Sequence, residues 1–565
     1  MANKLRISKH VIEVAFDNQD APKLEQFYPV HYNRKKTQAS LSIRNLPEVL
    51  KVLRGVDETN IGSLPASIQE LYCAELSARS RMEELKYFGP SYSPVVTEHL
   101  TLRPHQQLGR EIAEVRDKYC FFFDTRTGKT PLSLAIMYDD IQRHRDHRWL
   151  VVCPLILIEN AWLPDAAEFI PDIKVVNCHA ATKEKRLKAI SDGVKNGANI
   201  FVTNTESFVA YREYFDKLGF TGCIVDESSD MKSQKSKQSK ELVDFAQNLQ
   251  RFYLLSGTPA PNGEYEYFMQ LRAVDYYSMP SSYSQFKEHY FINVSRNPQY
   301  EKLQLRDDRR GELMDLIRKY AIYVDKEDVL DTPGRTFKTI ELEMPKALKE
   351  HYKTLKDELY LEVGDTLITA KHAAAKLNKL NQVSSGFIID TRAKKENKFY
   401  GEDKQEVYLL SDYRFEALKD LLAVHANDQV LIWANYHAEF EAIASMLGES
   451  CRCLYGATSL IDKTRAIQDF KSGLIQYLVA NPASADKGLT LTNCHICVYF
   501  SLGWSYELFK QSMERIYGDK SKQPYHCLYY VLIAKRSIDE VLYNDVLQGK
   551  RDASAAVLNH LKGGL

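Results

Sequence analysis

The stretch Phe121–Thr130, FFFDTRTGKT, restricts the fold of this chain more than any other. Three successive phenylalanines belong in an interior, and so short an apolar run reads as a buried strand. It leads into a polar loop with Gly128, Lys129 and Thr130, and the residues that follow, PLSLAIMYDDI, read as a helix. Backbone N–H groups of such a loop can wrap a phosphate, which then rests on the positive end of the helix. Lys129 is placed to reach the β- and γ-phosphates, and the Thr130 hydroxyl to bind Mg²⁺. The glycine that usually opens the pattern is Phe123 here. A hydrolytic site built on this loop needs acidic partners from elsewhere in the chain.

The surrounding sequence supplies a sheet for the loop. Between about 96 and 325, the apolar runs CFFF, WLVVCPL, KVVNC, NIFVTN, CIVDE and RFYLLSG alternate with amphipathic helical stretches. That βαβα order implies a parallel sheet covered on both faces. Residues 265–325, rich in aromatic and charged side chains, read as a helical extension. After two further helical stretches, KALKEHYKTLKDELYLEV and TLITAKHAAAKLNKLNQV, the pattern restarts with QVLIWAN, CRCLYG, QYLVAN, ICVYFSL and HCLYYVLIA. A second α/β domain is therefore expected over 326–550, followed by a tail at 551–565. Residues 1–95 form a separate block of strand-like and helical segments, set off by the Pro/Gly-containing GPSYSPVV. A chain of 565 residues is too long for one core and suggests roughly two to four domains.

Lys+Arg and Asp+Glu both total 75, so no global field draws the chain to nucleic acid or membrane, and any basic surface must be local. The N-terminus lacks a signal-peptide core, and no run reaches the roughly 20 apolar residues of a membrane span. A cytoplasmic location is expected, in the host cytosol if the gene is carried by a phage. Ten cysteines are scattered along the chain, most inside strand-like runs. Cys494 and Cys497 have a zinc-like spacing, but their context, TNCHICVYF, reads as a buried strand, which favours reduced structural thiols.

The acidic partners come from CIVDESSD, where an apolar run ends in Asp226, the Mg²⁺-side carboxylate, and Glu227, the candidate base. A surface acidic turn is the bland alternative. RFYLLSGTPAPNG then places Ser256 and Thr258 after another strand, as a simple Gly/Pro turn or as hydroxyls that sense the γ-phosphate.

With these in hand, the order LRPHQQLG, DTRTGKT, VVCPLILIENAW, TNTE, DESS and SGTPAPNG resembles the motifs of superfamily-two helicases. QVLIWANYHAEF, ADKGLTLT and QSMERI complete the set in the second half. DESSDMKSQKSKQSKELV, VDKEDVLDTP and IAKRSIDEVL narrow the resemblance to Swi/Snf-type translocases, in particular compact bacteriophage-encoded ones. It covers roughly 96–550. The resemblance implies an α/β fold with two tandem RecA-like lobes behind a small N-terminal α+β accessory domain. It implies that Gln106 reads adenine, making ATP the nucleotide, and that Thr125, Arg126, Thr127, Gly128, Lys129 and Thr130 cradle its phosphates. Gly488 would contact nucleotide and DNA from the second lobe. Gln511 and Arg515 would face the γ-phosphate, Arg515 as arginine finger. Two positions depart from the family pattern: Gly518 stands where a second arginine is usual, so that either Lys520 or Lys522 substitutes or hydrolysis rests on Arg515 alone, and Arg126 replaces a common glycine.

The implied activity is an ATP-dependent DNA translocase or helicase that unwinds or remodels forked or branched DNA in replication, recombination or repair. The alternatives are a protein-displacing remodeller, a nucleotide-gated DNA-binding protein of low turnover, and an RNA helicase. A motor that walks on DNA must bind phosphates rather than bases. Lys232, Lys235, Lys237 and Lys240, with Thr203 and Asn204, are the expected contacts, against a solvated-loop reading of the same lysines. Replacing the four lysines by alanine is expected to weaken DNA binding and to lower the slope of log affinity against log salt by up to about 0.9 per phosphate released. An unchanged slope in a salt titration would show that they touch no phosphate.

Overall fold

The computed structural model describes residues 4–7, 11–16, 21–295, 301–358, 360–363, 366–369, 373–390, 406–456, 458–484 and 489–548. Gly488 and the tail at 551–565 lie outside the described residues. The chain divides into a unit running from Met1 to Val329 and a second beginning at Leu330.

The first unit is organised by a seven-stranded sheet whose strands all pair in parallel. Its order is Ala321–Val324, Lys118–Phe123, Arg251–Leu255, Gly222–Asp226, Trp149–Cys153, Ile200–Asn204, Val175–Asn177. All six runs read as strands from the sequence are there. The seventh, Ala321–Val324, is a correction to the reading of 265–325 as a helical extension. Four residues, AIYV, close the helix Asp307–Tyr320 and pair with the P-loop strand, from Ala321 opposite Cys120 to Val324 opposite Phe123. The helices Tyr267–Val274 and Tyr283–Tyr290 pack their aromatic side chains inward, with Tyr267, Phe268, Phe286 and Tyr290 all buried.

Residues preceding the sheet form a four-stranded antiparallel sheet, ordered Lys4–Ile7, Val11–Ala15, Gln38–Ser42, His31–Tyr32, and the helices Leu46–Arg54 and Ala66–Phe88. This block is joined to the parallel sheet by buried polar contacts. Arg44 is 7% exposed; its guanidinium donates to the carbonyls of Lys118 and Lys319 at 2.8 and 2.7 Å and lies 4.2 Å over the Tyr320 ring. Arg116 and Glu75, both buried, pair at 2.7 Å. Such bonds hold orientation, because each buried partner is costly to leave unsatisfied.

The second unit carries six parallel strands in the order Arg335–Leu342, Cys527–Ala534, Ile496–Tyr499, Val430–Trp433, Tyr477–Ala480, Cys451–Leu454. The architecture is thus two RecA-like α/β lobes. One strand was not read and one local reading changes. RTFKTIEL is an edge strand paired with Cys527–Ala534, and its mixed exposure hid it as a strand. YLEVGDTLIT, read within helical stretches, forms the hairpin Tyr360–Val363 and Thr366–Thr369 between the helices Lys346–Glu358 and Ala373–Ser384. The cysteines Cys494, Cys497 and Cys527 are buried thiols, and burial pushes Cys494 up to about 12. No helix among the described residues is long and apolar enough to cross a membrane.

A buried ion pair closes this lobe. Arg414, fully buried, bonds Asp539 and donates to the Phe500 carbonyl at 2.7 Å; Asp539 also accepts from Ser384 Oγ at 2.8 Å and Ala534 N at 3.0 Å. Removing one partner strands a buried charge. Arg414→Met is expected to cost about 3–5 kcal/mol in urea unfolding, and adding Asp539→Leu should recover most of it. Equal stability of Arg414→Met and the parent would refute the assignment.

Candidate nucleotide-binding site

The site stands at the carboxyl ends of the first sheet, where parallel α/β folds bind ligands. The strand Lys118–Phe123 is buried throughout, and the chain leaves it at Asp124, whose N–H is held by Val324 O at 2.9 Å. Thr127 closes the loop, its hydroxyl donating to Asp124 O at 2.7 Å. Arg126 has φ +65° and Gly128 φ +84°. Arg126 thus holds a left-handed conformation that glycine reaches without strain. The helix Lys129–Arg143 begins directly after Gly128.

Lys129 Nζ donates to the carbonyls of Phe123 and Asp124 at 3.1 and 3.4 Å, so the ammonium lies against the loop. Neutral carbonyls are weaker acceptors than a phosphate, which would draw the ammonium to itself. The loop is braced from behind by the helix Pro104–Val115. Gln106 accepts from Arg103 N at 2.8 Å and donates to the carbonyls of Thr127 and Gly128, both at 3.1 Å. His105 donates Nε2–H to Thr127 O at 2.7 Å, its pKa lowered by burial so that the ring is neutral. Gln106, expected from the sequence to read adenine, also braces the phosphate loop. Its neighbour His105 was missed, although the same LRPHQ motif contains it.

The acidic strand lies two strands from the P-loop strand. Asp226 is opposite Leu255, and Leu255 opposite Phe121, a separation of roughly 10 Å at the usual strand spacing. Asp226 is buried; its Oδ1 accepts from Glu227 N at 3.0 Å and its Oδ2 from Trp162 Nε1 at 3.2 Å. Trp162, the last residue of VVCPLILIENAW, was not singled out by the sequence reading. Glu227 turns away from the strand at φ +58° and is half-buried. The third motif sits against the first. A Cβ on Gly257 would meet Thr125 N at 3.2 Å and Thr125 Cγ2 at 3.3 Å. Gln270, fully buried, accepts from Ser228 Oγ at 2.8 Å and donates to Pro259 O at 2.6 Å, tying DESS to SGTP.

Of the expected DNA contacts, Thr203 lies inside the strand Ile200–Asn204 with no exposure. Asn204, 5% exposed, bonds Glu206. Neither side chain is presented at the surface of this unit. Lys235, Lys237 and Lys240 are exposed and Lys232 is half-buried. Lys237 and Lys240 occupy the first turn of the helix Lys237–Asn248, which has no acidic residue there. Cations disfavour a helix start, so this placement does not serve helix stability.

In the second unit, Gln511 is on the last turn of the helix Tyr506–Met513, half-buried. Arg515 follows it, 8% exposed, with Nη1 on Leu489 O at 3.3 Å. Gly518 is buried. Lys520 pairs with Asp331 at 2.7 Å, and Lys522 is exposed. The cation beside this turn is Arg335, 4.6 Å over the Tyr517 ring.

Gly128 has no room for a side chain: a Cβ would lie 2.0 Å from Gln106 Nε2. Gly128→Ala is expected to abolish binding of a fluorescent nucleotide while lowering thermal stability only modestly. Retained nucleotide affinity would show that the loop tolerates displacement of Gln106.

Comparison with known proteins gives the family. Residues 56–398 match the SNF2-related domain and residues 413–518 the helicase conserved C-terminal domain. Protein p41 of Acyrthosiphon pisum secondary endosymbiont phage 1 is 25% identical over 70% of this chain and 84% of its own length. The mouse DNA annealing helicase and endonuclease ZRANB3 is 24% identical over 82% of this chain, which spans only 41% of that protein. The chromatin-remodeling ATPase INO80 of Aspergillus terreus is 25% identical over 41% of this chain and 14% of its own. Among solved structures, the Sulfolobus solfataricus SWI2/SNF2 ATPase core in complex with dsDNA aligns over 83% of this chain and 98% of its own, with 17% identity and a TM-score of 0.38. The chain belongs to the SNF2-related family of superfamily-two helicases and is a DNA-dependent ATPase.

Proposed function

We propose that the protein is an ATP-driven translocase on DNA that remodels forked or branched structures. The observation that carries this reading is the continuous contact from the phosphate loop through Gly257 and Pro259 to Gln270 and the DESS turn. A change at the γ-phosphate is felt at once by the acidic turn, and the basic residues Lys232–Lys240 continue directly from it. Similarity to a DNA annealing helicase over most of this chain, which spans 41% of that protein, supports DNA as the substrate. The phage relative supports a phage origin and action in the host cytosol.

In this reading Thr125–Thr130 hold the phosphates, with Lys129 moving from the loop carbonyls to the β/γ oxygens. Gln106 contacts adenine while its amide nitrogen still bonds the loop carbonyls, which would link nucleotide occupancy to the loop. Thr130 and Asp226 are the residues that would hold Mg²⁺, and the buried Asp226 carboxylate, held in place by Glu227 N–H and Trp162 Nε1–H, has the oxygen-donor chemistry such an ion takes. When bound with ATP, Mg²⁺ supplies charge neutralisation on the β- and γ-phosphates. Glu227 orients the attacking water and takes its proton. Gln511 and Arg515 serve the transferring phosphoryl group, Arg515 as the finger, and Gly488 contributes backbone. The four lysines contact DNA phosphates, whereas the burial of Thr203 and Asn204 argues against direct contact through their side chains.

A second reading is favoured by one observation. Gly518 offers no charge and Lys520 is held by Asp331, which would suit a nucleotide-gated binder with little turnover. The ATPase rate with and without blunt duplex, forked DNA and RNA separates the readings. A motor is expected to be strongly stimulated by DNA, with stimulation abolished by Lys129→Ala and Glu227→Gln. Arg515→Ala is expected to keep nucleotide affinity and lose several orders of magnitude in turnover. A flat, low rate on every nucleic acid would sink the motor.

A further inference from the structure

Between the helices Ala66–Phe88 and Asp307–Tyr320 lies a cavity of about 390 Å³ that uses none of the residues of the nucleotide site. One wall is the helical face of Arg79, Met82, Glu83 and Lys86, and the other is Asp315, Arg318 and Lys319. Tyr119, Phe122 and Ile322 give it an apolar floor.

Five cationic side chains, Arg116 among them, line the slot against two carboxylates. Glu75 pairs with Arg79 and Arg116, Glu48 also with Arg79, and Asp315 with Arg318. Among the described residues Lys86 and Lys319 make no ion pair; Lys319 Nζ donates only to Asn45 Oδ1 at 2.8 Å and to a carbonyl. Burial, then the charges of Arg44 and Arg79, pull Lys319 down to about 8. Arg116 is nine-tenths buried, and its Nε has no partner among the described residues. The slot therefore has more positive charge than its own carboxylates balance, over a floor that suits a flat apolar body. Immediately beyond Lys86, Tyr87 and Phe88 are 73% and 86% exposed, with Lys86 Nζ 5.9 Å from the Tyr87 ring. Exposed aromatic rings beside free cations form the surface on which unpaired bases stack.

We propose that this slot and the Tyr87–Phe88 step beside it bind an unpaired nucleotide of a DNA strand, its phosphate met by Lys86 and Lys319 and its base by the apolar floor and the aromatic step. The inference rests on the reading of the chain as a DNA motor and assigns the N-terminal block a share in choosing the DNA structure. A free nucleotide presents the same phosphate and ring, so the test must separate the two.

The full chain would be titrated by fluorescence anisotropy with forked DNA carrying single-stranded arms and with blunt duplex of equal length. Lys86→Ala combined with Tyr87→Ala, both at the surface, is expected to weaken arm-bearing DNA about tenfold. The salt slope on that DNA should fall by about 0.7 for one lost single-strand phosphate contact. Blunt-duplex affinity and duplex-stimulated ATPase should stay unchanged. Lys319→Ala is expected to show the same selectivity. Equal losses on both DNAs, or no loss on either, would overturn the proposal. In the Lys129→Ala background, displacement of the arm by millimolar mononucleotide would assign the slot to a free nucleotide and also overturn it; no displacement supports a strand. Arm affinity is read by binding alone. A wild-type protein without DNA-stimulated hydrolysis would therefore sink the motor and leave the slot's result standing.

Discussion

The site depends on one insertion: the strand Arg251–Leu255 lies between the P-loop strand and the acidic strand, pairing in parallel with both. Parallel pairing forces the three carboxyl ends to the same edge, so the loops leaving Phe123, Asp226 and Leu255 crowd together. That crowding explains the glycines that matter. Gly257 exists where the SGTP turn meets the P-loop backbone, and Gly128 where the loop meets Gln106. A side chain at either place would push apart the groups that a phosphate must bridge.

The contacts around the loop are mostly between uncharged polar groups. Gln106, His105 and Gln270 are buried, and each bonds backbone carbonyls that would otherwise face a dry interior. Such bonds add little net stability, yet breaking one is costly, which makes them good holders of position. A loop held in this way can bind phosphate without first being ordered. Trp162 does the same for Asp226, its indole N–H fixing Oδ2 while the Glu227 N–H holds Oδ1.

The N-terminal block follows a different logic. It is tied to the first sheet by guanidinium groups, Arg44 on two carbonyls and a tyrosine ring and Arg116 on Glu75. Carbonyls and rings do not neutralise charge, so the junction keeps positive surplus beside the slot. In the second unit the buried pair Arg414–Asp539 is supported by the Phe500 carbonyl, Ser384 and Ala534 N and serves the lobe itself.

Much of this was legible in the sequence. Apolar runs buried on both faces announce parallel strands, and the ordered motifs announce two lobes and the residues of the P-loop, DESS and SGTP. The missed strands were short or half-exposed: AIYV is hidden behind a helix, and RTFKTIEL alternates like a surface segment at the sheet edge. The YLEVGDTLIT hairpin was lost because its strands are flanked by strong helix formers. Side-chain partnerships were beyond reach, since Gln106 on the loop carbonyls, Trp162 on Asp226 and Gln270 between two turns join residues remote in sequence. The burial of Thr203, the pairing of Lys520 with Asp331 and the cationic slot beside Lys86 are equally products of packing. Sequence by itself determined which elements form and which chemistry they carry, because periodicity and motif spacing are local. Tertiary structure alone decided which polar groups meet, because a hydrogen bond or an uncompensated charge depends on a few ångströms between distant parts of the chain.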